Sequence, residues 1–445
     1  MEIAMFSLLF AWLALWATGR VVPPEALKSS WPAWIFLTAW LLLESLHVVP
    51  MPETVVAALS PEAARVQSYL TEAGIPASST TLSVDPHASL VSLMKTLALV
   101  AVFFLSLALL NRRPRVSLLA RAIVYWGTLI SAAAIMLHVT GAKMEYFGMP
   151  LSYEDSSKGT FTNRNHFAGY LEMVLALGIG LLIGGLTDRR ADSWKKFLRL
   201  AIEWLFSPKM ILRLALCIVV IAMTTTHSRM GNAAFFSSLL IAGLIGISLS
   251  RYATRNTIIL LVSLVVIDVA IVGSWFGVDK LVKRIQETTI EDVQEREDPA
   301  ASTVRLIKDY PIVGAGPGTF YVTFPRYRGE KVYDFFDHAH NDYAEFAAES
   351  GLVGLAILAG VVITSLAAAI RAQWLRRDPL MRGMSFACIM GVTAILIHSW
   401  VDFNLQIPSN ADLFVVLLAI GWISLNLDRR HSGPAGEGPA KVVAA

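Results

Sequence analysis

Eleven apolar runs, each close to the length an α-helix needs to cross a bilayer, dominate this chain. A bilayer core takes roughly 20 apolar residues per helix. The runs lie near residues 3–19, 31–49, 88–111, 117–140, 164–186, 210–227, 230–250, 257–276, 341–370, 383–400 and 411–426. Composition agrees, with 55% hydrophobic and 16% charged residues and a mean hydropathy of +0.57. A soluble chain carries about 25% charged residues. One or two soluble domains could not hide this much apolar surface. The sequence therefore predicts an all-α fold, a polytopic transmembrane helical bundle of about 11–12 spans with one long loop on its outer face. A soluble enzyme, a disordered scaffold and a nucleic-acid binder are excluded. The two cysteines, Cys217 and Cys388, sit in separate apolar runs and offer neither a disulfide framework nor a metal spacing. The chain start lacks the basic region of a signal peptide, so the first run is read as a retained helix.

Charge sets the orientation. Net charge, +3, says little in a membrane protein; the side that each charge occupies matters. Arg112, Arg113 and Arg115 follow the third run, and Arg189, Arg190, Lys195, Lys196 and Arg199 the fifth. Arg251 and Arg255 follow the seventh, Arg371, Arg376 and Arg377 the ninth, and Arg429 and Arg430 the last. Every second loop is basic and is expected to face the cytoplasm, with the N-terminus outside and the C-terminus inside. Residues 195–206 read as an amphipathic stretch on the cytoplasmic surface. The organisation expected is spans over 1–276, a long outer loop over 277–340, spans over 341–428 and an unstructured tail over 429–445. A loop as long as 277–340 is usually functional.

Three constellations on the outer face carry candidate chemistry. Arg229 sits between two spans with almost no loop, so its charge lies at the membrane edge, where charge is costly and functional by default. Its guanidinium suits bidentate capture of phosphate; the plainer reading is snorkelling to headgroups. Arg284, Arg296, Arg305, Arg326 and Arg328 occupy the long loop, where pairing with loop carboxylates is the ordinary expectation. The second constellation, Asp337-His338-Ala339-His340-Asn341-Asp342-Tyr343, runs into an apolar helix. A histidine there can serve as a general base near neutral pH; a structural cap and a metal ligand are the alternatives. Glu345 and Glu349 follow on that helix and can orient a histidine or a substrate hydroxyl, or simply be polar residues at its interface end. Gly351 and Gly354 are expected to permit close helix packing. The third constellation, Asn163-Arg164-Asn165-His166 at a helix start, either lines a sugar or phosphate site or caps the helix.

Other chemistries lack their signatures. The chain has no phosphate-binding glycine loop, no dinucleotide fingerprint, no serine-nucleophile elbow and no haem motif. No outer loop holds an Asp-x-Asp pair, which disfavours a metal-bound sugar nucleotide as donor. No cofactor and no metal are expected. Glu172 and Asp268 are the main mid-span acids, too few for the ion relay of a transporter.

At these motifs the chain resembles the superfamily of O-antigen ligases and O-antigen polymerases. The stretches that carry the likeness are GTFTNRNHFAGYLEM at 159–173, THSRMG at 226–231, IKDYPIVGAGPGTF from 307, and DHAHNDYAEFAAESGLVG up to 354. The similarity covers about residues 90–425. It implies a multi-pass bacterial inner-membrane glycosyltransferase whose active site faces the periplasm. The donor it implies is a polyprenyl-diphosphate-linked glycan, and the acceptor a lipid A core or a growing glycan. Membrane lipids surround the protein and no nucleic acid is bound. By the resemblance, transfer is metal-independent and inverting, the histidine acting on the acceptor hydroxyl is His340, and one diphosphate ligand is Arg229. The second arginine normally precedes the Ile-Lys-Asp-Tyr-Pro segment by a few turns. Arg296 fits best, but Glu297-Asp298-Pro299 disturb the spacing, so Arg305 and Arg284 stay open. Asn163, Arg164, Asn165, His166, Asn341, Glu349 and Arg305 are the expected substrate-binding residues. The motifs do not separate ligase from polymerase. A polyprenol-linked glycan transporter is the more distant alternative, disfavoured because the basic residues stay at the faces.

Overall fold

The computed structural model describes residues 2–74, 80–146, 149–185, 208–249, 259, 262–263, 299–329 and 335–427. Its helices are α1 (Glu2–Ala17), α2 (Glu25–Ser29), α3 (Trp31–Val48), α4 (Glu53–Leu59), α5 (Pro61–Glu72), α6 (Pro86–Leu109) and α7 (Arg113–Val139). The strands β1 (Lys143–Tyr146) and β2 (Met149–Ser152) come next. There follow α8 (Arg164–Gly184), α9 (Pro208–Thr225), α10 (Arg229–Leu249), α11 (Pro299–Asp309), α12 (Phe320–Thr323), α13 (Asp342–Leu375), α14 (Pro379–His398) and α15 (Pro408–Asn426). Eight of the described helices, α3, α6, α7, α8, α10, α13, α14 and α15, are long and apolar enough to cross a membrane. Two shorter apolar helices, Glu2–Ala17 and Met210–Thr225, complete ten of the eleven expected runs. The run at 257–276, the amphipathic stretch at 195–206 and the tail lie outside the described residues. The architecture is the all-α bundle expected, with a short antiparallel β1–β2 pair, Lys143 opposite Ser152, between α7 and α8.

Helix starts follow their local chemistry. Asp85 caps α6 by accepting from the N–H groups of His87 and Ala88, with Pro86 in the first turn. Asn163 caps α8, Asn341 caps α13 and Asp378 caps α14 in the same way. Helix α8 forms the centre and packs against α7, α9, α10, α14 and α15. Its crossing with α14 is backbone on backbone: a Cβ on Gly180 would strike the Gly383 carbonyl, and one on Gly383 the Gly180 carbonyl. Large apolar side chains stay exposed on the periphery, among them Leu118, Trp126 and Leu129 of α7 and Ile363 of α13, as lipid-facing surfaces do.

The two ends of the bundle differ. At one end Arg113 pairs with Asp378 at 3.0 Å, and Arg376 donates to the carbonyls of Ser424 and Leu427. At the other, residues 50–74, 80–84 and 299–329 pack with the end of α3 into a cap whose own core includes Trp40, Val56, Leu82, Leu306, Phe320 and Phe324. Arg326 and Glu62, 2.6 Å apart, join the 50–74 and 299–329 segments.

The cap also holds a break in α13. Gly351 has φ +68°, so the helix opens there, and residues on either side lose their helical partners. The 311–318 stretch supplies new ones. Ala315 and Gly316 N–H donate to the carbonyls of Ala348 and Glu349, and Leu352 N–H donates to the Pro311 carbonyl. Gly314 approaches so closely that a Cβ would meet the Glu349 backbone. The glycine-rich motif and the Glu-x-Gly motif thus form one structural unit. Gly354, in contrast, faces Trp40 and Leu43 of α3, a close helix contact.

Candidate active site

The capped end carries a buried polar chamber around Asp402, in the turn between α14 and α15. Its side chain is 1% exposed. Oδ1 accepts from Phe403 N–H at 2.8 Å and faces His166 Nε2 at 3.3 Å and His340 Nδ1 at 4.0 Å. Oδ2 faces His398 Nε2 at 4.0 Å. Three imidazoles from three segments thus converge on one carboxylate. Burial alone would push the Asp402 carboxyl up. The His166 hydrogen bond and charge, with Phe403 N–H and His398, outweigh it and hold the carboxyl below its usual range.

Behind this ring, His398 Nδ1 lies 2.7 Å from Glu172 Oε1 of α8, both fully buried. Asp342 Oδ2 accepts from Ser399 Oγ at 2.6 Å and Leu405 N–H at 3.1 Å. Asn410 donates to the His166 carbonyl and to Asn404 Oδ1. Several atoms here lack a hydrogen-bond partner among the described residues: Glu172 Oε2, Asp342 Oδ1, His398 Nε2, Asp402 Oδ2, Asn404 Nδ2 and Asn410 Oδ1.

His340 stands at the mouth of the chamber with a side chain 40% exposed. Its φ of +50° is uncommon for a residue with a Cβ. Such strain costs about 1–3 kcal/mol and persists where the surroundings impose it. Here the ring is fixed by edge contacts with Phe336 and Phe403. His338 is held differently. Its Nδ1 lies 2.6 Å from Glu345 Oε1 and its ring stacks on Phe403. Burial alone would lower the His338 pKa, but the Glu345 hydrogen bond and charge outweigh it and raise it. The two histidines, two residues apart, have separate carboxylates. Of the two carboxylates expected to orient a histidine or substrate, Glu345 serves His338. Glu349 is buried and accepts from Phe320 N–H at 3.0 Å, bracing the cap.

Beside the chamber lies an exposed basic rim. Three residues, Thr226, His227 and Ser228, separate α9 from Arg229, the first residue of α10. Arg229 and Arg164, the first residue of α8, are both exposed, and neither pairs with a described carboxylate. His227 has φ +54° and sits edge-on to His138 at 6.0 Å. Burial, then His138 and Arg164, lower its imidazole pKa. Gly231 of α10 packs on Ala168 of α8, so both arginines start helices that meet within their first turns. The third sequence constellation therefore splits. Arg164 faces the rim and His166 the chamber, while Asn163 Oδ1 caps the helix by accepting from Asn165 N–H. Asn341 caps α13 and ties it to the Trp400 carbonyl.

Among the loop arginines, Arg305 donates to Ser302 Oγ and the Tyr327 carbonyl, tying α11 to the following turn. Arg296 and Arg284 lie outside the described residues. Among the described residues no group of three or more histidine, cysteine or acidic side chains is arranged to hold a metal. Asp402 and His398 were missed as site residues by sequence reasoning. Their signal was there: His398 and Glu172 are opposite ionisable types inside two spans, and such residues are functional by default. Glu44, near the end of α3, is a further buried acid, accepting from Thr96 Oγ1.

Fold and site together define a polytopic membrane protein with an acid–base centre and a cationic rim at one end of its bundle. Residues 214–359 match the O-antigen ligase family model, a stretch that takes in Arg229, the glycine loop, His338 and His340. The match supports the O-antigen ligase superfamily already suggested by the motifs, and with it a glycosyltransferase-type enzyme acting on lipid-linked glycans. No curated protein matches the chain.

Proposed function

We propose that the protein transfers a glycan from a polyprenyl-diphosphate carrier to an acceptor hydroxyl, at the capped end of the bundle, without a metal and with inversion at the anomeric carbon. The observation that carries this reading is a half-exposed His340, aimed at buried Asp402, beside an exposed rim of arginines that pair with no described carboxylate. The rim takes the diphosphate. Arg229 and Arg164 stabilise the charge that develops on the leaving group, a preorganised electrostatic effect. Arg296 remains the expected second arginine from the resemblance. The acceptor oxygen attacks C1 from the side opposite the diphosphate, and His340 Nε2 takes the hydroxyl proton. Asp402 orients the ring and stabilises the imidazolium that results, as a carboxylate does behind a catalytic histidine. The basic end marked by Arg113 and Arg376 faces the cytoplasm of a bacterial inner membrane, and the capped end the periplasm.

The test is purified protein with a lipid-diphosphate donor and a lipid A core acceptor. Transfer with release of free diphosphate lipid is expected, and it should survive strong chelation. Activity lost in EDTA and restored by magnesium would overturn the metal-free reading. Elongation of the donor glycan in place of transfer to the lipid A core would identify the polymerase reaction of the same superfamily.

A further inference from the structure

The Glu172–His398 pair lies behind Asp402, one residue removed from the ring that would meet substrate. We propose that Glu172 and His398 share one buried proton and act through Asp402 as positioning residues for His340. The inference rests on the reading of His340 as the base.

The proton count comes from the geometry. His398 Nδ1 is 2.7 Å from Glu172 Oε1, so a hydrogen lies between them. His398 Nε2 faces Asp402 Oδ2 at 4.0 Å, and neither atom has a hydrogen-bond partner among the described residues. An ionised Glu172 beside a neutral His398 would need the only ring hydrogen on Nδ1. Nε2 would then present a lone pair to a carboxylate oxygen, two acceptors facing each other in a buried site. One extra proton removes the conflict. It makes either an imidazolium beside a carboxylate, or a neutral imidazole beside a carboxylic acid that donates to Nδ1. The two forms differ only in where the proton sits within the short contact. In both, Nε2 carries a hydrogen toward Oδ2. The pair as a whole is then uncharged, and Asp402 keeps its charge among the N–H groups of His398, His166 and Phe403.

The consequence falls on His340. With Oδ2 facing the His398 N–H, the carboxylate plane is set and Oδ1 faces His340 Nδ1. His340 then holds its hydrogen on Nδ1 and leaves Nε2 bare, the nitrogen free to accept the acceptor proton. The 4.0 Å separations exceed hydrogen-bond length. At that distance in a buried site the Asp402 charge still favours the ring hydrogen on the nitrogen that faces it, before any substrate binds.

The experiment uses full-length protein labelled with ¹⁵N-histidine in lipid nanodiscs, at a pH well above histidine's reference pKa of about 6.5. The nitrogen resonances of His340 are assigned by comparison with His340→Gln. In the wild type they should report Nδ1 protonated and Nε2 bare. Glu172→Leu and His398→Leu should turn this into a mixture of tautomers. With donor and acceptor added, kcat should fall at least about tenfold in both, as when other partners that orient a functional histidine are removed, with the donor KM nearly unchanged. Glu172→Gln is the decisive variant, because its amide N–H donates to His398 Nδ1 and leaves Nε2–H on Asp402. It should keep the wild-type tautomer and most of the rate, and it remains informative should the leucine variants not fold. An unchanged His340 tautomer in folded leucine variants would overturn the proposal. So would a glutamine variant with mixed tautomers. The tautomer measurement needs no substrate, so an absence of glycan transfer in the wild type would sink the proposed function alone.

Discussion

The chamber and the rim sit at the same end of the bundle and treat charge in opposite ways. Around Asp402 every ionisable group is buried or half-buried and faces a named partner. At the rim Arg164 and Arg229 face outward with no described carboxylate beside them. Helix α8 supplies both regions from one turn, Arg164 to the rim and His166 to the chamber. A general base needs a fixed ring and a defined tautomer, which an internal network provides. A diphosphate needs guanidinium forks not already occupied. The difference between the regions is that between a group prepared by the protein and a group completed by its ligand.

Mutations should separate the two regions in order of effect. His340→Ala should lower the single-turnover rate by roughly 10²–10⁴-fold, the usual worth of a general base. Donor binding should persist. An unaffected rate would leave the reaction to the arginines and proximity. Arg229→Ala should cost roughly 10²–10³-fold, comparable to removing one preorganised donor to a developing anion. Here the loss should include donor binding. Lysine should rescue it poorly, since a point charge lacks the bidentate fork. Donor affinity equal to wild type would detach Arg229 from the diphosphate.

His338→Ala should cost about tenfold or less, because its own carboxylate, Glu345, holds it away from Asp402. Equal and severe losses at His338 and His340 would merge what the structure keeps apart. The smallest effect is on stability. The folded His338 pKa is raised, so its contribution is fully present below the unfolded value of about 6.5. That contribution is lost as pH rises through the folded value. Thermal unfolding of His338→Gln should lack this part of the pH dependence seen in the wild type. Identical profiles would show that the pair contributes nothing measurable.

Much of this arrangement was legible because its causes are local. The length of each apolar run within the described residues announced a helix, and Asp85, Asn163, Asn341 and Asp378 sit where a cap is required. The short connection before Arg229 makes it the first residue of α10, where its side chain is exposed. What stayed hidden depends on distance in sequence. Asp402 meets His166 across 236 positions, a juxtaposition without any local pattern. Glu349 read as a site residue because it shares a helix with Glu345. In the structure its buried carboxylate accepts from Phe320 N–H, a partner 29 positions away that no local pattern announces. His166 belongs to one run with Arg164 in the sequence, and the helical turn gives it Asp402 as partner while Arg164 is exposed.

The opening of α13 at Gly351 has a mechanical meaning. Its first turns are fastened to the cap through Ala315 and Gly316, while the long apolar part continues past Leu352. No unbroken ladder of helical hydrogen bonds runs between the two. The cap acts as a splint across a joint. Because the same stretch grips both sides of the break, a load on the apolar part reaches the segment beside His340 through the cap and not along the helix axis, as a fishplate carries load across the gap between two rails.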